Sequence, residues 1–263
     1  CVGSMALYWR IDRTPTDNKK VRLALNMAID RQAYINTILN GKGIMLNRCV
    51  LSIDPETMYT PLEKLPPEAK DQFTYNPARA KQLLAEAGYP TGFTFKLIAP
   101  QYYPVPETIS LIESWWKEIG VKLDAKIIDP AVFTSTMYGK GHDMGVLLYR
   151  AIPSAFTELR TYSSLAEIWN PSCYNDPDYQ KGFEDMKTTV DPVARAAKIK
   201  ALNIMVLSAY TGVLFPEGYG WTASQPWVRN YHGECGVGYW WFGPIYSHVW
   251  IDTAMKKAAT GRE

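Results

Sequence analysis

Apolar and polar positions recur along this chain with two distinct periods, and the period decides the element. FTFKLIA at 93–99 and VKLDAKII at 121–128 alternate with period two and predict strands. DMGVLLY at 143–149 closes on the apolar run Val146-Leu147-Leu148-Tyr149 and predicts a buried strand, which the chain leaves near Arg150 and Pro153. Between these strands, PETISLIESWWKEIG at 106–120 sets Ile109, Ile112, Trp116 and Ile119 on one helical face. DPAVFTSTMYGK at 129–140 opens a second helix on an Asp-Pro pair, the Asp as N-cap and the Pro at the first helical position. The order β-α-β-α-β predicts a mainly parallel sheet with right-handed crossovers, hence the α/β class.

The flanks follow the same logic. MALYWRI at 5–11 predicts a strand. Asp17 or Asn18 can cap a helix over 19–28 with Val21, Leu25 and Ala28 inward, and Asp30 caps another over 31–39 that Gly41 ends. Residues 42–72 are Pro-rich and irregular. In YNPARAKQLLAEAGYP, Asn76 caps, Pro77 takes the first helical position, Ala80, Leu83, Leu84 and Ala87 form the buried stripe, and Gly88 ends the helix. Asp-Pro pairs open helices over 177–189 and 192–209, and GVLFPEGYGWTAS then predicts a strand and its return.

Composition narrows the function more than the fold. The chain has 263 residues, 47% hydrophobic and 21% charged, enough for one large core or two small ones. A net charge of +2 gives no electrostatic footprint for nucleic acid. No apolar run reaches the roughly 18 residues that a membrane span needs. CVGSMALYWR lacks the apolar core of a signal peptide, and Gly3-Ser4-Met5 has the form of a tag scar. The three histidines (142, 232, 248) and four cysteines (1, 49, 173, 235) show no CxxC pair and no zinc spacing, so no metal and no cofactor is expected. One disulfide among Cys49, Cys173 and Cys235 and free buried thiols both fit the pattern. GxSxG, HExxH, Walker and GxGxxG patterns are absent, and the acid pairs Glu113/Glu118 and Glu184/Asp185 sit on solvated helix faces, so no catalytic residue is expected.

Aromatic content stands out, with nine Trp and 17 Tyr, several in apparent loops such as Tyr102-Tyr103 and Trp240-Trp241. Tyr and Trp give large contact area at low entropy cost, which suits a recognition surface. In open parallel sheets, ligands bind beyond the carboxyl ends of the strands. Tyr102 and Tyr103 follow one such end, and Tyr149, Arg150 and Phe156 follow another.

VRLALNMAIDRQAYINTILNGKG and YNPARAKQLLAEAGYPTGF resemble two signatures of the family 5 extracellular solute-binding proteins, the oligopeptide-, dipeptide- and nickel-type receptors of ABC importers. EIGVKLDAKIID, GHDMGVLLY and VDPVARAAKIKALNIMV follow in that family's order, so the resemblance covers residues 5–252. It implies a periplasmic-binding-protein type II-like lobe, the second (C-terminal) one of two. The implied organisation is a hinge-proximal strand and linker over 1–16, one ligand-binding lobe over 17–252 and a tail over 253–263. It further implies a small-molecule or peptide ligand, the N-terminal lobe and a membrane ABC permease as partners, no nucleic acid, and a periplasmic or extracellular, envelope-associated site of action.

Dipeptide-binding relatives carry an aspartate for the ligand amine in the stretch matching 149–153, where this chain has neutral Ala151 and Ile152. They also carry an arginine for the ligand carboxylate in the loop matching 100–104, where this chain has Tyr102. Losing both anchors disfavours a free dipeptide. Tyr102, Tyr103, Tyr149, Arg150 and Phe156 become the candidate ligand contacts, with Arg150 suited to an anion unless it points to solvent or pairs with Glu158. The alternative function is an α/β hydrolase or transferase with an unrecognised acid pair.

Overall fold

The computed structural model describes residues 2–45, 57–102, 104–152, 154–219, 223–233 and 243–262. Tyr103, Pro153, Cys49, Cys235 and Trp240-Trp241 lie outside the described residues. The chain divides into two compact units, Gly3–Gly218 and Tyr219–Glu263 with Cys1–Val2.

The larger unit is built on β1 (Val2–Trp9), β3 (Thr94–Pro100), β4 (Lys122–Ile128), β5 (Gly145–Ile152) and β6 (Gly212–Leu214), in the spatial order β4-β3-β5-β1-β6. Around them run α1 (Lys19–Met27), α2 (Arg31–Ile38), the short β2 (Gly43–Ile44), α3 (Pro67–Lys70), α4 (Pro77–Glu86), α5 (Val105–Glu118), α6 (Pro130–Tyr138), α7 (Ala155–Thr161), α8 (Pro177–Thr188), α9 (Pro192–Ala209) and β7 (Glu217–Gly218). β3 pairs parallel with β4 (Thr94↔Lys122 to Pro100↔Ile128) and with β5 (Leu97↔Gly145, Ile98↔Val146), as the β-α-β-α-β pattern predicts. The first crossover moves outward from β3 to β4, and the second returns across β3 to β5. For crossovers in opposite directions, the right-handed rule of parallel β-α-β units places the two connecting helices on opposite faces of the sheet.

Alternation in β3 turns Phe95, Leu97 and Ala99 into the core, where they meet Ile112 and Trp116 of α5 and Leu25 of α1. Phe95 and Trp116 meet edge to face at 4.9 Å, and Trp116 Nε1 donates to the Leu25 carbonyl at 3.2 Å, which satisfies its buried N–H. Each such fully buried apolar side chain contributes roughly 1.5–3 kcal/mol. Two glycines let the loops entering β3 and β4 touch: Gly92 has φ +77°, and a Cβ there would lie 1.9 Å from the Gly120 carbonyl oxygen.

Helix starts follow the local capping chemistry. Asn18, Asp30, Asn76, Asp129, Asp176 and Asp191 each accept a backbone N–H in the first turn of the helix they precede. Arg31 donates to the Gln72 carbonyl and to Asn26 Oδ1, while Gln72 donates to the Leu207 carbonyl, so a polar thread ties α1, α2 and α9 together.

Three expectations need correction. β5 runs to Ile152, not 149, so Arg150 lies inside the strand. The stretch from 212 is not a strand and its return: β6 pairs antiparallel with β1 and β7 with β2. Pro216 stands between them and has no N–H to continue the ladder. β2 itself falls in the region read as irregular. Residues 3–5 lie inside β1, with Ser4 and Met5 buried.

In the smaller unit, β8 (Val228–Arg229) pairs antiparallel with β9 (Trp250–Ile251), α10 spans Gly243–Tyr246, and α11 (Thr253–Thr260) is capped by Asp252. Among the described residues no helix is long and apolar enough to cross a membrane.

Candidate functional site

The carboxyl ends of β3 and β5 lie side by side, and Tyr102 bridges them. A turn in which the Val105 N–H donates to the Tyr102 carbonyl at 2.8 Å folds the loop after β3 into α5. The phenol oxygen then accepts the Tyr149 backbone N–H at 2.6 Å. This bond takes up an amide three residues beyond the last paired position of β5 on β3.

Alternation along β5 sets the fate of the next two residues. Leu148 and Arg150 share one face and are 5% and 6% exposed; Tyr149 faces the other way and is 49% exposed. Arg150 is therefore not a free cation at the rim. Its Nε donates to Glu158 Oε1 at 2.8 Å, its Nη2 donates to Thr161 Oγ1 at 2.6 Å, and its guanidinium lies 5.0 Å from the Trp169 ring centroid. Burial works to lower its pKa, but the Glu158 carboxylate more than offsets that and the value is raised, so the guanidinium stays charged. Pairing with Glu158, the alternative weighed from sequence, is the arrangement present.

α7 supplies the third exposed ring. Ser154 caps it by accepting the Thr157 N–H. Glu158 and Thr161, three residues apart, face Arg150. Phe156 faces outward, 44% exposed, with its ring 5.6 Å from that of Phe183 on α8. Tyr102 and Tyr149 thus meet at the carboxyl ends of β3 and β5, while Phe156 is exposed on α7, which packs on the Arg150 face of β5. Burial raises the Tyr102 phenol pKa, opposed by the bond from the Tyr149 amide. Burial and the Glu217 carboxylate raise that of Tyr149.

Sequence reasoning missed Glu217 and Trp169. Glu217 is fixed by the pairing of β7 with β2, which no local pattern announces, and its charge helps raise the Tyr149 pKa. Trp169 sits in an aperiodic loop, its ring 5.0 Å from Tyr138 of α6 in an edge contact.

Other polar clusters resolve into structure. His142 Nε2 bonds the Pro171 carbonyl at 2.8 Å, and burial pushes its pKa down to about 4. Cys173 is a buried free thiol whose pKa burial raises, the opposite of an activated nucleophile. Glu184 and Asp185 pair with Lys187 and Lys198 on an exposed face. No group of potential metal ligands occurs among the described residues. A shallow cavity of about 120 Å³, lined by Lys96, Asp124, Lys126 and Asp143, lies toward the amino end of β5 at Gly145; Lys96 and Asp143 pair there at 2.9 Å.

Comparison with known proteins gives this geometry a family. Residues 2–166 match the model of the bacterial extracellular solute-binding proteins, family 5 Middle. The chain is 26% identical over 239 residues to heme-binding protein A of Haemophilus influenzae, covering 86% of this chain and 41% of that protein. It is 32% identical over 180 residues to the glutathione-binding protein GsiB of Pectobacterium atrosepticum, covering 64% of this chain and 32% of that protein. The solved structure of the periplasmic binding protein DppA of Helicobacter pylori, in complex with the peptide STSA, superposes with a TM-score of 0.73 at 18% identity. That superposition covers 95% of this chain and 47% of DppA, and supports the periplasmic-binding-protein type II-like α/β fold. The chain thus spans less than half the length of these relatives. The hydrolase or transferase alternative finds no support in these matches, which are to binding proteins. The chain belongs to the bacterial extracellular solute-binding proteins of family 5.

Proposed function

We propose that this chain is the C-terminal ligand-binding lobe of an extracytoplasmic receptor that hands its solute to an ABC permease. The observation that carries the reading is the exposed aromatic surface of Tyr102, Tyr149 and Phe156 at the carboxyl ends of β3 and β5, where open α/β sheets take ligands. An open face suits a site completed by a second lobe, and the 41% coverage of heme-binding protein A leaves length for one. Tyr103, which follows Tyr102 in sequence, belongs to the same proposed set. Arg150 serves the site from behind.

The solute is peptide-like or another small polar or aromatic compound, and not a free dipeptide. Ala151 and Ile152 supply no charge for an amine, and the Arg150 guanidinium is committed to Glu158. An anion held by Arg150 loses its footing for the same reason: it would have to displace a buried carboxylate at 2.8 Å. Relatives that bind heme, glutathione or a peptide sample diverse chemistry, so the fold leaves the choice to the mouth. Capture proceeds by hinge closure, and ligand favours the closed state by its differential affinity. The receptor acts in the periplasm or on the outer face of the cell envelope.

Native mass spectrometry of the full-length protein, purified gently from its source, tests the reading. The expected result is a bound small molecule lost on unfolding. A protein that carries nothing and binds no member of a peptide, sugar and aromatic panel contradicts it.

A further inference from the structure

The sheet of the larger unit ends in two unlike edges. β6 is three residues long, and Pro216 follows it closely. Short strands and prolines close an edge to further pairing. β4, at the other edge, is seven residues long and contains no proline. It pairs with β3 at every position from Lys122 to Ile128, so no bulge interrupts it. Among the described residues no strand flanks its outer side.

The polarity of that side follows from one hydrogen bond. The Lys122 N–H donates to the Phe93 carbonyl at 2.9 Å, toward β3. N–H and C=O directions alternate along a strand, so Lys122, Asp124, Lys126 and Ile128 serve the β3 ladder, and Leu123, Ala125 and Ile127 turn theirs outward. Side chains alternate as well. Ala125 is in register with Leu97, which places Leu123, Ala125 and Ile127 on the face that α5 covers. Ile127 is 43% exposed there. Asp124 and Lys126 stand on the other face. Asp124 is in register with Lys96, whose ammonium is taken by Asp143 at 2.9 Å.

We propose that the free edge of β4 is a homodimer interface, in which two copies pair antiparallel about a two-fold axis at Ala125. Charge chooses that register. An axis at Asp124 sets this acid against its own copy, and an axis at Lys126 does the same to the base; like charges directly opposite destabilise a sheet. An axis at Ala125 sets Asp124 against Lys126 of the second copy, and Lys126 against its Asp124, at the non-hydrogen-bonded pairs where side chains lie closest. It also sets Ile127 beside Leu123 of the second copy, and gives every outward N–H and C=O of Leu123, Ala125 and Ile127 a partner. The contact is isologous and closes on itself. Antiparallel pairing points the carboxyl ends of the two β3 strands in opposite directions, so the interface does not depend on the ligand site.

Sedimentation of the full-length protein over about 1–500 µM tests the proposal, a range suited to a small, weak interface. The expected result is a monomer–dimer equilibrium. Ala125→Pro removes an outward N–H and spares the ladder to β3, as prolines on edge strands do, so it should abolish the dimer in a folded protein. The charges give a second series that leaves the backbone untouched. Asp124→Lys and Lys126→Asp each oppose like charges and should weaken the dimer at least about tenfold. Combining the two restores opposite charges at both pairs and should return the dimer to within about threefold of wild type. A wild type that stays monomeric across the range overturns the proposal and makes Lys122 and Lys126 guards against pairing. A dimer indifferent to Ala125→Pro in a folded protein, or a combined variant as weak as the single ones, also overturns it.

Discussion

Removing the Glu158 carboxylate strands a charge. Arg150 and Glu158 are 6% and 2% exposed, so water cannot replace the lost partner, and Thr161 and Trp169 cannot neutralise a guanidinium. Truncating one member of a buried pair costs about 3–5 kcal/mol, because the survivor stays buried and unpaired. Glu158→Ala should therefore lower stability by about 4 kcal/mol, which for a unit of this size shifts the melting temperature by roughly 8–16 °C. Arg150→Ala should cost a similar amount. The two should not add: once one charge is gone, removing the other relieves the penalty, so the double variant should be more stable than the sum predicts. Replacing both by leucine should come out near neutral. Urea unfolding of the full-length protein and its variants, followed through the transition of this lobe, gives the cycle. A cost below about 1 kcal/mol for Glu158→Ala, the range of exposed ion pairs, or strict additivity of the two single variants would refute the buried pair. The same variants separate support from contact. If Arg150 only holds α7 and Trp169 in place, Glu158→Gln weakens ligand binding together with Arg150→Ala. If Arg150 binds ligand directly, Glu158→Gln frees it and binding of an anionic ligand tightens.

Other consequences follow from single residues. His142 is held neutral by burial, its pKa pushed from 6.5 to about 4 with Arg10 and Arg13 adding to the effect. Its stabilising contribution is complete above the unfolded-state value and is lost as pH falls from about 6.5 toward 4, where the unfolded chain takes up a proton that the folded chain refuses. Across that window wild type should lose about 3 kcal/mol more than His142→Gln; parallel pH–stability curves for the two would contradict the burial argument. Gly92→Ala combines a positive φ with a contact 1.9 Å from the Gly120 carbonyl, so it should destabilise by at least about 2 kcal/mol or abolish soluble expression. A melting temperature within two degrees or so of wild type would show that the two loops do not touch.

Much of this architecture was legible in local chemistry. Asn76-Pro77, Asp129-Pro130, Asp176-Pro177 and Asp191-Pro192 mark helix starts because cap and helix are neighbours in sequence. Alternation identified β3 and β4, and the order of elements gave the parallel core. What escaped was non-local. β6 and β7 find partners more than 170 residues away, β1 and β2, which no turn signal encodes. Arg150 turned on strand length alone. If β5 stops at Tyr149, the arginine sits on a rim; if it continues, Arg150 shares parity with Leu148 and must go inward with a counter-charge. Glu158, eight residues on, was visible as that partner, but only α7 brings it within reach. Tyr102 was legible as a ring after a strand end, while the direction of its hydrogen bond needed the geometry of both strands.

The central claim is that the exposed rings at the carboxyl ends of β3 and β5 bind the solute. Its most direct test is calorimetry on the double variant Tyr149→Ser, Phe156→Ser in the full-length protein, with the ligand recovered from the native protein. Both side chains are exposed, 49% and 44%, so folding should survive the change. The account predicts a loss of affinity of at least about 100-fold, the effect expected of aromatic hot-spot residues, with the melting temperature of the ligand-free protein preserved. Unchanged affinity in a folded double variant would contradict it and move the site away from this end of the sheet.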